Sequence, residues 1–270
     1  MTHTFPQRIA RIRHEGSARH ALVEDGAYRA IDGDIFGDWT PGRVVIPADR
    51  AELLPPVDPP QIICIGLNYR RHAAESHMPV PDAPVIFTKT INCITPHGSP
   101  ILLPSIAPDE VDYEAELAIV IGRRAKRIPE SAATEHILGF TCANDVSARD
   151  CQLRLDKQWA RGKCFDTFAP LGPWIATGID GDNLAIRLSI NGETLQDSRT
   201  SDMIFPCAKL VSYLSHSMTL LPGSVILTGT PEGVGFGRKP QRFLRDGDTV
   251  SVEIEGIGTL TNPVTKESAI

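Results

Sequence analysis

The stretch Asp112-Tyr113-Glu114-Ala115-Glu116-Leu117-Ala118-Ile119-Val120-Ile121 constrains the fold more than any other. On a strand, side chains two apart point to the same face. Glu114 and Glu116 therefore face one way, and Tyr113, Ala115, Leu117 and Ile119 the other. The glutamate face runs on into Ala118 and Val120, so both faces of the strand read as buried. A solvated edge strand is the plainer reading of two glutamates, and the apolar residues that follow on both faces argue against it. Two neighbouring buried carboxylates repel and lose hydration. They require protonation, cationic partners or a metal ion.

The rest of the pattern is mainly β. Leu184, Ile186, Leu188 and Ile190 alternate with smaller or polar residues and run into Asn191-Gly192, a strong hairpin signal. Val250, Val252 and Ile254 alternate before Gly256 turns the chain. Ile62 to Leu67, Gly139 to Ala143 and Val225 to Leu227 read as short buried strands. Helices are expected from Glu130 to about Ile137, from Ser147 to about Trp159 and from Phe205 to Tyr213. Turns rather than helices join the strands of the second half. The expected fold class is therefore α+β, mainly β, with a mixed, largely antiparallel sheet. Pro55, Pro56, Pro59 and Pro60 cannot sit in a helix interior or a central strand. They divide a small N-terminal β unit, residues 1–58, from a larger one, residues 59–270.

With 27 Lys+Arg against 33 Asp+Glu, the chain carries a net charge of −6 and no basic footprint, so nucleic acid is excluded as a partner class. Apolar runs such as Leu117 to Ile121 are far too short to span a membrane. Met1 to Arg13 has no apolar core of the kind an export signal needs. A cytoplasmic protein is expected. The six cysteines form no C-x-x-C pair and read as reduced, mostly buried thiols.

Four further groups carry chemistry. Asp145 lies between an apolar stretch and a helix start, where an acid is equally at home as a cap. Together with Glu114 and Glu116 it would make a three-carboxylate set without His or Cys, suited to a hard cation such as Mg²⁺ or Mn²⁺. His72 and Glu75 are three apart, hence neighbours on one helical turn. A carboxylate beside an imidazole orients the ring for proton abstraction, though a charged surface turn has the same spacing. Arg149 and Gln152 repeat that spacing and, with Lys163, could clamp a substrate carboxylate or simply form helix surface. Gly229, Gly233, Gly235 and Gly237 let backbone N–H groups approach a ligand, but their spacing matches neither common nucleotide motif.

In this order the elements resemble the fumarylacetoacetate hydrolase family. The matching stretches are Ile65-Gly66-Leu67-Asn68-Tyr69 with His72 and Glu75, Glu114-x-Glu116, and Asn144-Asp145-Val146-Ser147-Ala148-Arg149-Asp150. Lys163 to Pro173 and Leu227-Thr228-Gly229-Thr230-Pro231 complete the set, which covers roughly residues 60 to 265. The resemblance implies a β-roll, usually dimeric, with Mg²⁺ or Mn²⁺ on Glu114, Glu116 and Asp145. It further implies His72, Glu75 and Lys163 as catalytic groups, Arg149, Gln152 and Thr230 as substrate-binding groups, and a lid over about Arg70 to Ala83. Where the longer branch carries a fourth carboxylate, seven residues before the histidine, this chain has Ile65, as in the short branch. The substrate class implied is a short 2-oxo or 2,4-dioxo acid. The reaction expected is C–C hydrolysis of an acylpyruvate-like acid to pyruvate and a carboxylic acid, with decarboxylation of oxaloacetate as the alternative.

Overall fold

A computed structural model describes residues 6–268. Met1 to Phe5, the start of the expected N-terminal unit, lie outside the described residues, as do Ala269 and Ile270. The N-terminal hairpins are β1 (Gln7–His14), β2 (Ser17–Glu24), β3 (Ala27–Gly33), β4 (Trp39–Pro47) and β5 (Glu52–Leu54). After the prolines come β6 (Ile62–Gly66), helix α1 (Arg70–Glu75), β7 (Val85–Lys89), β8 (Ile94–Thr95), β9 (Ile101–Leu103), β10 (Val111–Asp112) and β11 (Ala115–Ile121). Next are β12 (Ile137–Asn144), β13 (Ser147–Ala148), α2 (Ala160–Lys163) and β14 (Ala169–Thr177). The last part holds β15 (Ala185–Ile190), β16 (Glu193–Arg199), α3 (Cys207–Ser217), β17 (Val225–Leu227), β18 (Thr249–Ile254) and β19 (Gly258–Lys266).

The main sheet has twelve strands along the path β4-β3-β2-β1-β14-β12-β11-β17-β6-β7, with β5 on β1 and β8 on β14. The N-terminal hairpins thus join the larger part edge to edge, through β1 pairing antiparallel with β14. A second sheet runs β16-β15-β18-β19-β9. Most pairs are antiparallel; β17 on β6, β14 on β8 and β19 on β9 are parallel. Strand β11 is central because both of its faces find apolar partners. Leu117, Ile119 and Ile121 belong to a core shared with Ile186, Leu188, Val250 and Val252 of the second sheet. Ala118 and Val120 pack on the other side with Cys64, Leu171, Val225 and Leu227.

The expected hairpin at Asn191-Gly192 is present, with φ of 53° and 84° at the two residues, the left-handed backbone that favours this pair. The segment from Glu130 folds as a 3-10 helix to His136. The helix expected from Ser147 to Trp159 does not form. Ser147 turns its hydroxyl to the carbonyl of Asp145, and Ser147–Ala148 pairs with β10. Asp150 caps Cys151, opening a π-type turn, Cys151–Leu155, that stops at Asp156 before the short α2. The six cysteines are free, and Cys164 alone is not fully buried. No helix among the described residues is long and apolar enough to cross a membrane.

Candidate active site

The register brings the chemistry together. Ala115 faces Asn144 across β11 and β12, so Glu114 and Asp145 flank one end of that pair. At the same end β17 runs into Thr228-Gly229-Thr230, held to β11 by two hydrogen bonds to the Leu117 carbonyl. Glu114 and Glu116 continue the face of Ala118 and Val120, so the inner apolar layer of the roll ends in carboxylates. A cavity of about 560 Å³ opens over them. Its lining includes Glu114, Glu116, Asp145, His72, Glu75, Lys163, Arg149, Gln152 and Thr230, all nine residues named from the sequence.

The floor is buried and densely charged. Lys163 donates to Glu114 Oε2 at 2.8 Å and to Asp145 Oδ2 at 2.6 Å. Arg149 donates to Glu114 Oε1 at 2.6 Å, to Asp112 Oδ2 at 2.8 Å and to Gln152 Oε1 at 2.8 Å. Burial works to raise the Glu114 pKa, but the charges of Lys163 and Arg149 outweigh it and hold the carboxyl far below the usual range. Burial likewise disfavours the Lys163 ammonium, and Asp145 and Glu114 overcome it, raising its pKa. The Arg149 guanidinium is therefore committed to protein carboxylates. Gln152, its carbonyl taken by Arg149, keeps its amide nitrogen as the end available to a ligand oxygen.

Glu116 is the odd member. Its Oε2 accepts from the Gly229 N–H at 2.7 Å, and no ion pair to it is found among the described residues. Burial first, then Asp145 and Glu114, push its carboxyl well above the usual range. Ligand oxygens of Glu114, Glu116 and Asp145 lie within 4.8 Å of one another. Asp145 Oδ1 is ion-paired with Lys89 Nζ at 2.7 Å. A buried carboxyl without a cationic partner, Glu116, within 4.8 Å of two further carboxylates, fits a small divalent cation. The all-oxygen donor set fits a hard one.

The dyad stands on the cavity wall. His72 and Glu75 sit on α1, with Nδ1 to Oε2 at 3.1 Å. Glu75 also accepts from the Gly233 N–H at 3.0 Å. Burial raises its pKa, and the hydrogen bonds from His72 and Gly233 more than cancel this, so the carboxyl lies below the usual range. The lone pair of His72 Nε2 is then the free basic end, provided Nδ1 carries the proton shared with Glu75.

Two features were not singled out from the sequence. Lys89, fully buried, bonds to the carbonyls of Val146 (2.9 Å) and Lys163 (2.6 Å) and pairs with Asp145. Its only local signal is a lysine two residues after Phe87 at a strand end. Asp112 accepts from the Gly235 and Phe236 N–H groups at 2.8 and 3.0 Å as well as from Arg149. The glycine-rich loop thus does hold carboxyl groups with its backbone, but they are the protein's own Asp112, Glu116 and Glu75.

The family profile described as Fumarylacetoacetate (FAA) hydrolase C-terminal matches residues 61–265, and one described as Rv2993c-like, N-terminal matches residues 7–56. The chain is 45% identical over 266 residues to the mitochondrial oxaloacetate tautomerase FAHD2A of Homo sapiens, covering 97% of this chain and 81% of that protein. It is 47% identical over 232 residues to a fumarylacetoacetate hydrolase domain-containing protein 2 homolog of Dictyostelium discoideum, covering 81% and 76%. The crystal structure of a 2-hydroxyhepta-2,4-diene-1,7-dioate isomerase from Mycobacterium marinum superposes with a TM-score of 0.88 at 42% identity, covering 97% of this chain and 100% of that one.

Proposed function

As the chain belongs to the fumarylacetoacetate hydrolase family of enzymes, we propose that it interconverts keto and enol forms of a short 2-oxo acid by moving a proton at the carbon beside the carbonyl. The observation that carries this reading is the His72–Glu75 pair facing the same cavity as the carboxylate triad. Glu75 orients the ring, and Nε2 takes the proton from carbon and returns it to oxygen, or the reverse. Glu114, Glu116 and Asp145 would hold Mg²⁺ or Mn²⁺, which supplies positive charge where the oxyanion develops. The Gln152 amide and the Thr230 hydroxyl bind substrate oxygens. Lys163 and Arg149 keep Glu114 ionised and in place, and Lys163 adds positive potential at the floor. The similarity to a tautomerase and to an isomerase supports proton transfer over bond cleavage.

A second reading is C–C hydrolysis of a 2,4-dioxo acid of the acylpyruvate kind, in which His72 takes its proton from water instead of carbon. The exposed apolar lining residues Met78, Val85, Leu153 and Phe236 favour it, because an acyl arm would pack against them. Decarboxylation of oxaloacetate would use the same floor without attack by water.

The test uses the Mg²⁺- or Mn²⁺-loaded protein with enol-oxaloacetate and with acetylpyruvate. Faster loss of enol absorbance than with the metal alone, with no CO₂ and with dependence on His72, is the expected result. Acetate and pyruvate from acetylpyruvate, without tautomerase activity, would replace the first reading by the second. CO₂ from oxaloacetate would replace it by decarboxylation.

A further inference from the structure

The geometry points to a modification site behind the floor: Cys164 and Cys93 form a dithiol that hydrogen peroxide converts to a disulfide, and the disulfide weakens cation binding by the carboxylate triad through Lys163. The disulfide stands on the two thiols alone, whereas its effect on the triad rests on the metal reading above.

Neither cysteine lines the cavity. Cys93 ends the turn before β8, and Cys164 follows Lys163 at the end of α2. Parallel pairing of β8 with β14, Ile94 opposite Ala169, holds the two segments side by side. The Asn92 amide bridges them, donating to the Cys164 carbonyl at 3.1 Å and to Asp166 Oδ1 at 2.7 Å. Cys93 Sγ donates to the Lys163 carbonyl at 3.7 Å, and Cys164 Sγ to the Thr88 carbonyl at 3.7 Å. Each thiol thus bonds to the segment that carries the other, and the two side chains are in hydrogen-bond contact.

The two thiols are unequal. Cys164 is partly exposed, so a small oxidant reaches it, while Cys93 is fully buried and meets Cys164 from within. The hydrogen bond from Cys93, aided by the Thr90 N–H and hydroxyl and by the charge of Lys89, outweighs burial and lowers the Cys164 pKa below the usual thiol range. That same bond and then burial raise the pKa of Cys93, and burial raises those of Cys64, Cys142, Cys151 and Cys207. The Cys164 thiolate attacks one peroxide oxygen, the O–O bond breaks, and a sulfenic acid and hydroxide form; the hydroxide takes up the proton that Cys164 gave off. Cys93 then attacks the sulfenic sulfur. The S–S bond forms, the S–O bond breaks, and the departing hydroxide leaves as water with the Cys93 proton. Two electrons pass from the sulfurs to the peroxide, which ends as two waters, and a thiol reductant reverses the change.

The bond reaches the floor through one residue. The Lys163 carbonyl accepts from Lys89 Nζ at 2.6 Å as well as from Cys93. Lys89 pairs with Asp145, and the Lys163 ammonium holds Glu114 and Asp145. Sulfurs in hydrogen-bond contact must draw together to about 2.05 Å to form a disulfide. Closure therefore pulls the backbone beside Lys163 and removes the Cys93 donor, so both lysines that hold Asp145 are displaced.

The experiment treats the reduced protein with a few equivalents of hydrogen peroxide, removes the peroxide, and follows thiols by alkylation under denaturing conditions, intact mass and peptide mapping. The mass should fall by two hydrogens, two of the six thiols should be blocked, and one peptide should join Cys93 to Cys164. Cys93→Ser should stop at the sulfenic acid, one oxygen added to Cys164 that dimedone traps. Cys164→Ser should keep its remaining thiols free. Six free thiols after treatment, or a disulfide between other cysteines, overturns the proposal. For the link to the floor, Mn²⁺ is titrated calorimetrically into reduced and oxidised protein. Its Kd should rise about ten- to a hundredfold on oxidation and return with dithiothreitol, while Cys164→Ser binds as the reduced parent does, before and after peroxide. Equal affinity in both states removes the link. Reduced protein that binds no Mn²⁺ removes the metal reading and the link with it, and the mapped disulfide then stands or falls by itself.

Discussion

Asp145 and Glu75 are carboxylates in one cavity, yet they are held in opposite ways. The Asp145 side chain is 1% exposed and sits between two lysines, Lys89 and Lys163, that are themselves buried. The Glu75 side chain is 23% exposed, on the six-residue helix α1, and is tied down by one imidazole and one backbone N–H. In the floor, each charge was removed from water and is tolerable only because its partners are in place. On the wall, less was desolvated and less is lost when a partner goes. Under the proposed function, the difference means that floor residues would carry stability and chemistry together, whereas the dyad would carry chemistry nearly alone.

The sharpest way to break this contrast is at Lys89. Lys89→Met removes one partner of Asp145 and the donor to two buried carbonyls, so unfolding should become easier by about 3–5 kcal/mol. Chemical denaturation measures it, and a loss below about 1 kcal/mol would erase the distinction. His72→Ala is the counterpart on the wall. It should lower kcat by about 10²–10⁴ while leaving the denaturation midpoint and metal binding close to the parent's. A variant that unfolds as readily as the Lys89 one would move the dyad into the floor.

Glu116 gives a graded test. Its carboxyl is pushed up by burial, Asp145 and Glu114, so a divalent cation must displace a proton to bind. Affinity should therefore rise with pH, about tenfold per unit while Glu116 remains protonated in the free protein. Titrations in two buffers of different ionisation enthalpy would count roughly one proton released. In Glu116→Gln that proton should vanish from the count.

The smallest effect is expected at Glu75. Its pKa is lowered in the folded protein, so its contribution to docking α1 is present above the ordinary glutamate range and is lost as pH falls through the lowered value. Hydrogen exchange should then show residues 70–76 opening on acidification before the strands of the floor. Simultaneous opening of both would deny that they are held separately.

Much of the site was legible. Glu114 and Glu116 announce themselves because a period of two places both on a face that continues as Ala118 and Val120. The His72–Glu75 contact follows from helical spacing alone. Other features follow less directly. The chain from Ser147 to Trp159 carries an opening that resembles a helix start, but Asp150 caps only a π-type turn. Arg149 before that turn reaches Asp112 and Glu114, and Lys163 at the end of α2 reaches Glu114 and Asp145. Tertiary ion pairs override a local preference worth a fraction of a kcal/mol per residue. Lys89 was not legible, because a lysine closing a short strand has the same local pattern whether it meets water or a carboxylate.

The order of apolar and polar residues by itself determined a mainly β chain, a central strand ending in two carboxylates, a hairpin at Asn191-Gly192 and a histidine beside a glutamate. Periodicity and turn chemistry act over a few residues, so they can be read along the chain. Only the tertiary structure decided who neutralises whom: Asp112 meets Arg149 across 37 residues, Glu114 meets Lys163 across 49, and Gly229 meets Glu116 across 113. Charge pairing inside a protein depends on distance in space and on exclusion of water, and neither is set until the sheet has closed over the site.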